Sequence, residues 1–187
     1  MQPTSGRILA ISGSLQSRSA NTALVRLAAS LADQCTDVDI FDTLHQLPYF
    51  NPELDVEPAP RAVADLRARV GAAEAVLIAS PEYAHEMPGV LKNALDWLVS
   101  SGELYGKPVA ILCAAPGPER GMYVRQALER TLDAEGARVV VSTTVTVPPS
   151  QRNSQRSAEV VQVVSAALRA LAGNADGCVD ALPRRSA

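Results

Sequence analysis

The sequence contains few cysteines, few aromatic residues and no long apolar run. Its three cysteines, Cys35, Cys113 and Cys178, form no C-x-x-C pair, which argues against a disulfide framework or a zinc site and favours small buried side chains. No run of about 18 apolar residues occurs, so we expect no membrane-spanning segment. The first residues lack the apolar stretch of a signal peptide, which favours a cytoplasmic protein.

The sequence also has no large excess of one charge. It contains 17 Lys and Arg and 20 Asp and Glu, which gives a net charge of −3. This balance provides no electrostatic reason to expect a nucleic-acid partner. A chain of 187 residues with 47% apolar side chains is instead typical of one folded domain with its own core. Only two Phe, four Tyr and one Trp are present, so a flat ligand would be held mainly by backbone groups and small side chains.

Short apolar runs alternate with longer stretches of helical period. The apolar runs predict five strands, at residues 7–12, 37–42, 75–80, 108–114 and 138–147. Helical spacing predicts five helices, at residues 20–33, 61–71, 88–100, 119–135 and 157–171. Gly71 and Gly136 are predicted to end the second and fourth helices. The proline-rich segment 45–60 is predicted to be an irregular loop, and residues 174–187 a flexible tail after a domain that spans 1–173.

This alternation predicts an α/β protein in which helices cover both faces of a parallel sheet. In such folds a ligand binds beyond the carboxyl ends of the strands. We therefore expect the functional site to lie in the loops that follow the first, third and fourth strands, at residues 13–21, 80–88 and 114–121.

The first of these loops carries many hydrogen-bonding side chains just before a helix. They are Ser14, Ser17, Arg18, Ser19, Asn21 and Thr22. Because a helix N-terminus also offers unpaired N–H groups, this pattern favours a phosphate ligand. The loop matches neither G-x-G-x-x-G nor the P-loop pattern, so a terminal monophosphate such as that of FMN fits better than a triphosphate. The alternative is an ordinary strand-to-helix turn with Ser19 as the N-cap.

Prolines restrict the backbone at both ends of the loop after the third strand. Pro81 fixes one φ angle, and Pro88-Gly89 forms a second turn. A loop held in this way can point backbone N–H groups at the edge of a flat ring.

Several side chains of this region have two interpretations. Glu82 is either a surface carboxylate or the partner of a basic residue, and Tyr83 either stacks on a ring or only packs. His85 either titrates near neutral pH or is an ordinary exposed loop residue. Trp97 falls outside the apolar stripe of its helix, which predicts a subunit contact and not a place in the monomer core.

Three motifs together point to a known family. They are Gly13-Ser14-Leu15 with Ser19-x-Asn21, Leu47-Pro48 with Phe50-Asn51, and Pro81-Glu82-Tyr83 followed by Pro88-Gly89-Val90-Leu91-Lys92-Asn93-Ala94-Leu95-Asp96-Trp97. With these motifs the chain resembles the NADPH-dependent FMN reductases of the flavodoxin-like superfamily, over about residues 7–172. The resemblance implies a flavodoxin-like three-layer αβα sandwich, a five-stranded parallel sheet in the order 2-1-3-4-5, and FMN at the carboxyl ends of the strands.

The resemblance also implies which residues hold FMN. The phosphate ligands are Ser14, Ser19, Asn21 and Thr22, with Arg18 as the positive charge because Gln16 stands where the family often has arginine. The residues next to the ring are Pro81, Glu82, Tyr83, the backbone of Ala84 (many members have asparagine there), and Pro116 and Gly117 of the loop after the fourth strand.

The implied activity is ping-pong hydride transfer from NADPH, or NADH, through FMN to a small-molecule acceptor such as a quinone, chromate, an azo dye or a flavin. This chemistry demands no acid–base side chain, so we predict no catalytic residue and no metal. Family members are usually homodimers or homotetramers, with the helix after Pro88 at the interface. The alternatives are an FMN-free protein of the same fold and a flavodoxin-like electron carrier, which the charge of −3 and the few aromatic residues disfavour.

Overall fold

Five parallel strands form one sheet in the order β2-β1-β3-β4-β5. The computed structural model of the chain describes residues 6–32, 36–147 and 157–175. The strands are β1 (Gly6–Ser12), β2 (Thr36–Phe41), β3 (Ala75–Ala79), β4 (Pro108–Ala115) and β5 (Arg138–Thr146). The central strand β3 is buried along its whole length because helices cover both of its faces, and this explains its continuous apolar sequence.

Five helices cover the sheet. They are α1 (Ala20–Ser30), α2 (Arg61–Ala72), α3 (Gly89–Val99), α4 (Met122–Ala134) and α5 (Ala158–Ala175). The helices α1 and α5 bury their apolar side chains against one face of the sheet, and α2, α3 and α4 bury theirs against the other. The predicted three-layer sandwich with strand order 2-1-3-4-5 is therefore confirmed.

The boundaries of several elements differ from the prediction. Gly71 lies inside α2, which ends one residue later with Ala73 as its C-cap. The helix α4 begins three residues later than predicted, because Gly121 takes a left-handed φ of 85° immediately before it. The predicted loop 45–60 contains the short 3-10 helix Pro52–Leu54 and overlaps a second one, Leu44–Gln46.

The last helix is longer than predicted and includes the first two residues of the predicted tail. Residues 176–187, the rest of that tail, lie outside the described residues, as do Cys35 and Cys178. Cys113 is buried in the core, as predicted for a small apolar side chain. Among the described residues no helix is long and apolar enough to cross a bilayer.

The prediction that Trp97 contacts another subunit is wrong. Its side chain is fully buried within the chain, because the segment after the first 3-10 helix folds over α3. The indole Nε1 donates to the Pro48 carbonyl oxygen at 2.9 Å, and the ring meets Phe50 edge to face at 5.0 Å between centroids. The contact joins positions that are far apart in sequence, so the helical stripe alone could not reveal it.

A carboxyl group is enclosed beside α3 at the end of α4. Neither carboxyl oxygen of Glu135 has a hydrogen-bond partner among the described residues. The pKa of Glu135 is raised to about 8, mainly by burial and secondly by the nearby Asp96 carboxylate. The Lys92 ammonium opposes this shift. The folded protein therefore holds a neutral Glu135 at pH 7.

Replacement of Trp97 tests its burial. Trp97→Phe is expected to lower the free energy of unfolding by about 2 kcal/mol, because it removes a buried hydrogen bond and leaves a small cavity. Urea unfolding followed by circular dichroism measures this. The loss of stability should not vary with protein concentration. A loss that varies with concentration would indicate that Trp97 contacts another subunit. Tyr49→Phe is the matched control, since Tyr49 is 90% exposed, and should leave stability unchanged.

Glu135 makes stability depend on pH. Between pH 4.5 and about 8 the folded chain keeps a proton that the unfolded chain releases, so stability should fall as the pH rises through this range. Glu135→Gln should remove that part of the fall, and the variant should be more stable than the wild type at pH 8.5 by about 1–2 kcal/mol after screening is allowed for. Urea midpoints at pH 5 and pH 8.5 measure the effect. Asp133→Asn, an exposed change on the same helix, should leave the pH profile as it is, and equal profiles for all three proteins would contradict the assignment.

Candidate functional site

The loops after β1, β3 and β4 meet at the carboxyl edge of the sheet around a cavity of about 220 Å³. Its lining residues are Gln16, Arg18, Ser19, Ala20, Pro81, Tyr83, Ala114, Ala115, Pro116 and Val147. The three segments that were predicted to form the site are thus brought together, and the end of β5 joins them.

Gly13 lets the first loop leave β1 in close contact with β3. Its N–H donates to the Ala79 carbonyl oxygen at 2.8 Å. A Cβ atom at this position would lie 2.9 Å from Ser80 Oγ and 3.0 Å from a methyl carbon of Leu91. Because only glycine fits without displacing its neighbours, Gly13 sets the path of the loop toward the cavity.

The N-terminus of α1 opens into this loop. Ser19 Oγ accepts from the Asn21 N–H at 3.2 Å, so Ser19 is the N-cap of α1. The N–H groups of Arg18 and Ala20 donate to no other described residue, and both residues line the cavity. Free N–H groups at a helix N-terminus beside a guanidinium form an environment suited to a phosphate.

Two predicted phosphate ligands form hydrogen bonds within the protein. Asn21 is buried, and its Oδ1 accepts from the Ala114 N–H at 2.8 Å, which ties α1 to the end of β4. Thr22 Oγ1 lies 2.9 Å from Ser12 Oγ. Ser14 and Thr22 face a second cavity on the other side of the loop and do not line the first. The roles of these three residues as FMN ligands remain predictions.

Glu82 points toward α4 and not into the cavity. Its Oε2 accepts from the N–H groups of Tyr123 and Val124 at 3.0 and 3.2 Å, and thereby caps a helix whose own N-cap residue is Gly121. Its other oxygen, Oε1, lies 3.6 Å from His85 Nδ1. Neither interpretation of Glu82 anticipated its main partners, which are two backbone N–H groups of α4 and not a basic side chain.

The segment after Glu82 forms a tight hairpin. Tyr83 and Glu86 exchange backbone hydrogen bonds of 2.9 Å, and the two residues between them have left-handed φ angles of 51° for Ala84 and 64° for His85. The His85 ring is largely exposed and packs edge-on against Tyr123. Asparagine and glycine tolerate a left-handed φ better than alanine does, so Ala84 holds a strained backbone conformation.

The remaining predicted residues lie near the cavity or beside it. Pro81, Tyr83 and Pro116 line it, and the Tyr83 side chain is 55% exposed. Gly117 lies in the turn that follows, where its carbonyl oxygen accepts from the Arg120 N–H. Gln16 and Ala20 lie in the predicted first loop but were not predicted as ligands, and Val147 lies outside the three predicted loops. Only their positions beside strand ends could have indicated them, because their side chains carry no distinctive chemistry.

A parallel sheet in the order 2-1-3-4-5 with helices on both faces defines a flavodoxin-like fold. The chain belongs to the NADPH-dependent FMN reductase family, whose family model matches residues 6–152. Within the described residues, no three His, Cys, Asp or Glu side chains lie close enough together to hold a metal ion.

Individual relatives are similar over part of their length. An NAD(P)H-dependent FMN reductase of Pseudomonas aeruginosa is 40% identical over 113 residues, which cover 59% of this chain and 60% of that protein. A quinone reductase of Escherichia coli K12 is 31% identical over 114 residues, or 59% of this chain and 61% of that protein. The NADH:(hydroxy)cinnamate reductase subunit of Vibrio ruber is 31% identical over 156 residues, or 82% and 76%.

Solved structures with the same fold include a flavoenzyme NAD(P)H:(acceptor) oxidoreductase of Paracoccus denitrificans. It superposes with a TM-score of 0.72 at 24% identity, and the match covers 92% of this chain and 98% of that one. An NADH:FMN oxidoreductase in its apo form has a TM-score of 0.70 at 22% identity, with 90% and 89% covered. At these identities the likeness concerns the fold.

Relief of the left-handed strain at Ala84 should stabilise the protein. Ala84→Gly is expected to raise the free energy of unfolding by about 1 kcal/mol, because glycine adopts this φ without a Cβ penalty. Ala64→Gly is the matched control of opposite sign, since it places glycine in the exposed interior of α2 and should cost about 0.5–1 kcal/mol. Chemical denaturation measures both. A loss of stability in Ala84→Gly would show that the hairpin is not strained.

Proposed function

We propose that this chain is an FMN-dependent NAD(P)H oxidoreductase that passes electrons from a reduced nicotinamide to a small acceptor such as a quinone, chromate, an azo compound or a flavin. One observation carries the proposal: the cavity at the carboxyl edge joins a cationic helix N-terminus to a proline-braced loop. This combination suits a ligand with a phosphate at one end and a flat ring at the other, and family membership supports FMN as that ligand.

The phosphate end is assigned to the first loop. Arg18 supplies a positive charge, and the N–H groups of Arg18 and Ala20 have no acceptor among the other described residues. Together they provide charge-assisted hydrogen bonds of the kind that phosphate oxygens accept. Ser19 Oγ already caps the helix, so its contribution is to hold the loop in shape as well as to line the cavity.

The ring end is assigned to the loops after β3 and β4. Pro81 and Pro116 line the cavity as rigid residues. The backbone after Pro81 is held in place because Glu82 accepts a hydrogen bond from α4. Tyr83 is the one aromatic side chain in the lining of this cavity, so one face of a bound ring stays open to solvent. An open face suits an enzyme that admits a nicotinamide and an acceptor in turn, and it suits an electron carrier less well.

Bound FMN supplies the chemistry, because a flavin accepts a hydride and then releases electrons to an acceptor. The protein contributes binding, orientation and the electrostatics of the helix N-terminus. Assembly into a homodimer or homotetramer is part of the proposal and rests on the family resemblance.

Purification tests the proposal directly. The protein should be yellow, or become yellow when FMN is added, and its visible absorption should bleach within seconds of anaerobic mixing with NADPH or NADH. A protein that titration with FMN cannot colour would contradict FMN binding. A yellow protein whose colour persists with both nucleotides would favour the electron carrier.

Arg18 tests the position of the phosphate. Arg18→Ala should weaken FMN binding about 5- to 150-fold, which corresponds to roughly 1–3 kcal/mol for one charge-assisted contact. Fluorescence quenching of FMN measures the dissociation constant. Arg61→Ala, an exposed change at the start of α2, is the control and should leave it unchanged. Equal FMN dissociation constants in both variants would contradict the phosphate role of Arg18 and would make it an ordinary surface residue.

A further inference from the structure

A second and larger cavity lies on the opposite side of the first loop, between that loop and the end of β2. Its volume is about 470 Å³. The two cavities share Gln16, so they are neighbours separated by the loop that begins at Gly13. Apart from Ser14 and Thr22, whose roles as FMN ligands remain predictions, none of the residues assigned to FMN lines this second cavity.

One part of the cavity is apolar. The half-buried Ile40 and the buried Leu44 line it, and Leu15 of the first loop lines it too, although 56% of Leu15 is exposed. An exposed leucine at the mouth of a cavity and aliphatic side chains within it suit a flat, weakly polar group such as a nucleobase.

The rim of the cavity is charged. Asp42 follows the last residue of β2, and His45 lies in the 3-10 helix just after it. Both are exposed, and neither forms a hydrogen bond or an ion pair with another described residue. Arg26 of α1 also lines the cavity, with Nη1 3.5 Å from the Ser17 carbonyl oxygen. A carboxylate and a guanidinium are thus available to a ligand in the same cavity.

We infer that this second cavity binds the adenosine end of the reduced nicotinamide dinucleotide, and that Asp42 governs the choice between NADH and NADPH. The inference rests on the proposed function and deepens it. The first loop lacks the G-x-G-x-x-G pattern of dinucleotide-binding folds, but the Asp42 carboxylate at the end of β2 lines the cavity and can accept hydrogen bonds from ribose hydroxyls. The same charge repels a 2′-phosphate, so Asp42 favours NADH.

Arg26 has the complementary role. Its guanidinium binds phosphate oxygens of the dinucleotide by charge-assisted hydrogen bonds. Because Gln16 borders both cavities, a dinucleotide that crosses the first loop reaches from the adenosine cavity to the open face of a ring in the first cavity. The nicotinamide and adenosine ends then occupy different cavities.

Steady-state kinetics with both nucleotides test the assignment. Asp42→Asn should raise the ratio of kcat/KM for NADPH to that for NADH about tenfold, the effect of one charge-assisted contact. Arg26→Gln should raise KM for both nucleotides about tenfold and leave the FMN dissociation constant unchanged. Asp37→Asn is the matched control, because it removes an exposed carboxylate from the opposite end of β2 and should change neither quantity. Wild-type ratios in Asp42→Asn and wild-type KM values in Arg26→Gln would overturn the inference.

A binding measurement separates this inference from the proposed function. Calorimetric titration of the chain with ADP and with adenosine 2′,5′-bisphosphate needs neither FMN nor turnover. The wild type should bind ADP more tightly, and Asp42→Asn should bind the bisphosphate about tenfold more tightly than the wild type does. Absence of binding, or binding that neither Asp42→Asn nor Arg26→Gln alters, would overturn the adenosine site even in an active enzyme. Adenosine binding with these responses in a protein that FMN cannot colour would uphold the cavity and overturn the proposed function alone.

Discussion

The carboxylate of Glu82 on the first N–H groups of α4 is the interaction on which the shape of the candidate site depends most. A helix N-terminus leaves several N–H groups without partners, and the glycine before α4 has no side chain to cap them. The cap therefore comes from another loop, 41 positions earlier in the chain for Tyr123. One carboxylate thus stabilises the helix and holds the loop after β3, which lines the first cavity.

The same solution recurs at other places around the sheet edge. The amide of Asn21 accepts from the backbone of β4, and the amide of Asn93 accepts from the Phe50 N–H at 2.7 Å and donates to the Pro48 carbonyl oxygen at 3.0 Å. Parallel strands all end at one edge, so their loops carry backbone groups that no ladder can satisfy. Polar side chains supply the missing partners and hold the loops together, which gives a cavity whose walls are set before a ligand binds.

The first loop has a special place in this arrangement because it separates two cavities. One side presents Arg18 and a helix N-terminus, and the other presents Asp42 and Arg26. The scarcity of aromatic residues is reflected in the lining of the first cavity. Tyr83 is the one ring in the lining of the first cavity, so a flat ligand there would be held mainly by loops and prolines and would keep one face free. The proposed function, with two substrates in succession, calls for such a face.

Apolar period and proline positions report on burial and turns at short range, so the sequence by itself predicted a parallel sheet between two layers of helices and the loops at its carboxyl edge. The strand order 2-1-3-4-5 was predicted from the family resemblance that the sequence motifs carry. The sequence also indicated Arg18, Pro81 and Tyr83 as cavity residues. Only the tertiary structure decided that Trp97 is buried in the core, that α4 begins after Gly121 and that Glu82 faces α4. Each of these depends on contacts between residues more than 40 positions apart or on a backbone angle that close packing imposes. Local sequence patterns do not reveal such contacts. The sequence therefore predicted the fold, but it did not predict the long-range contacts that shape the site.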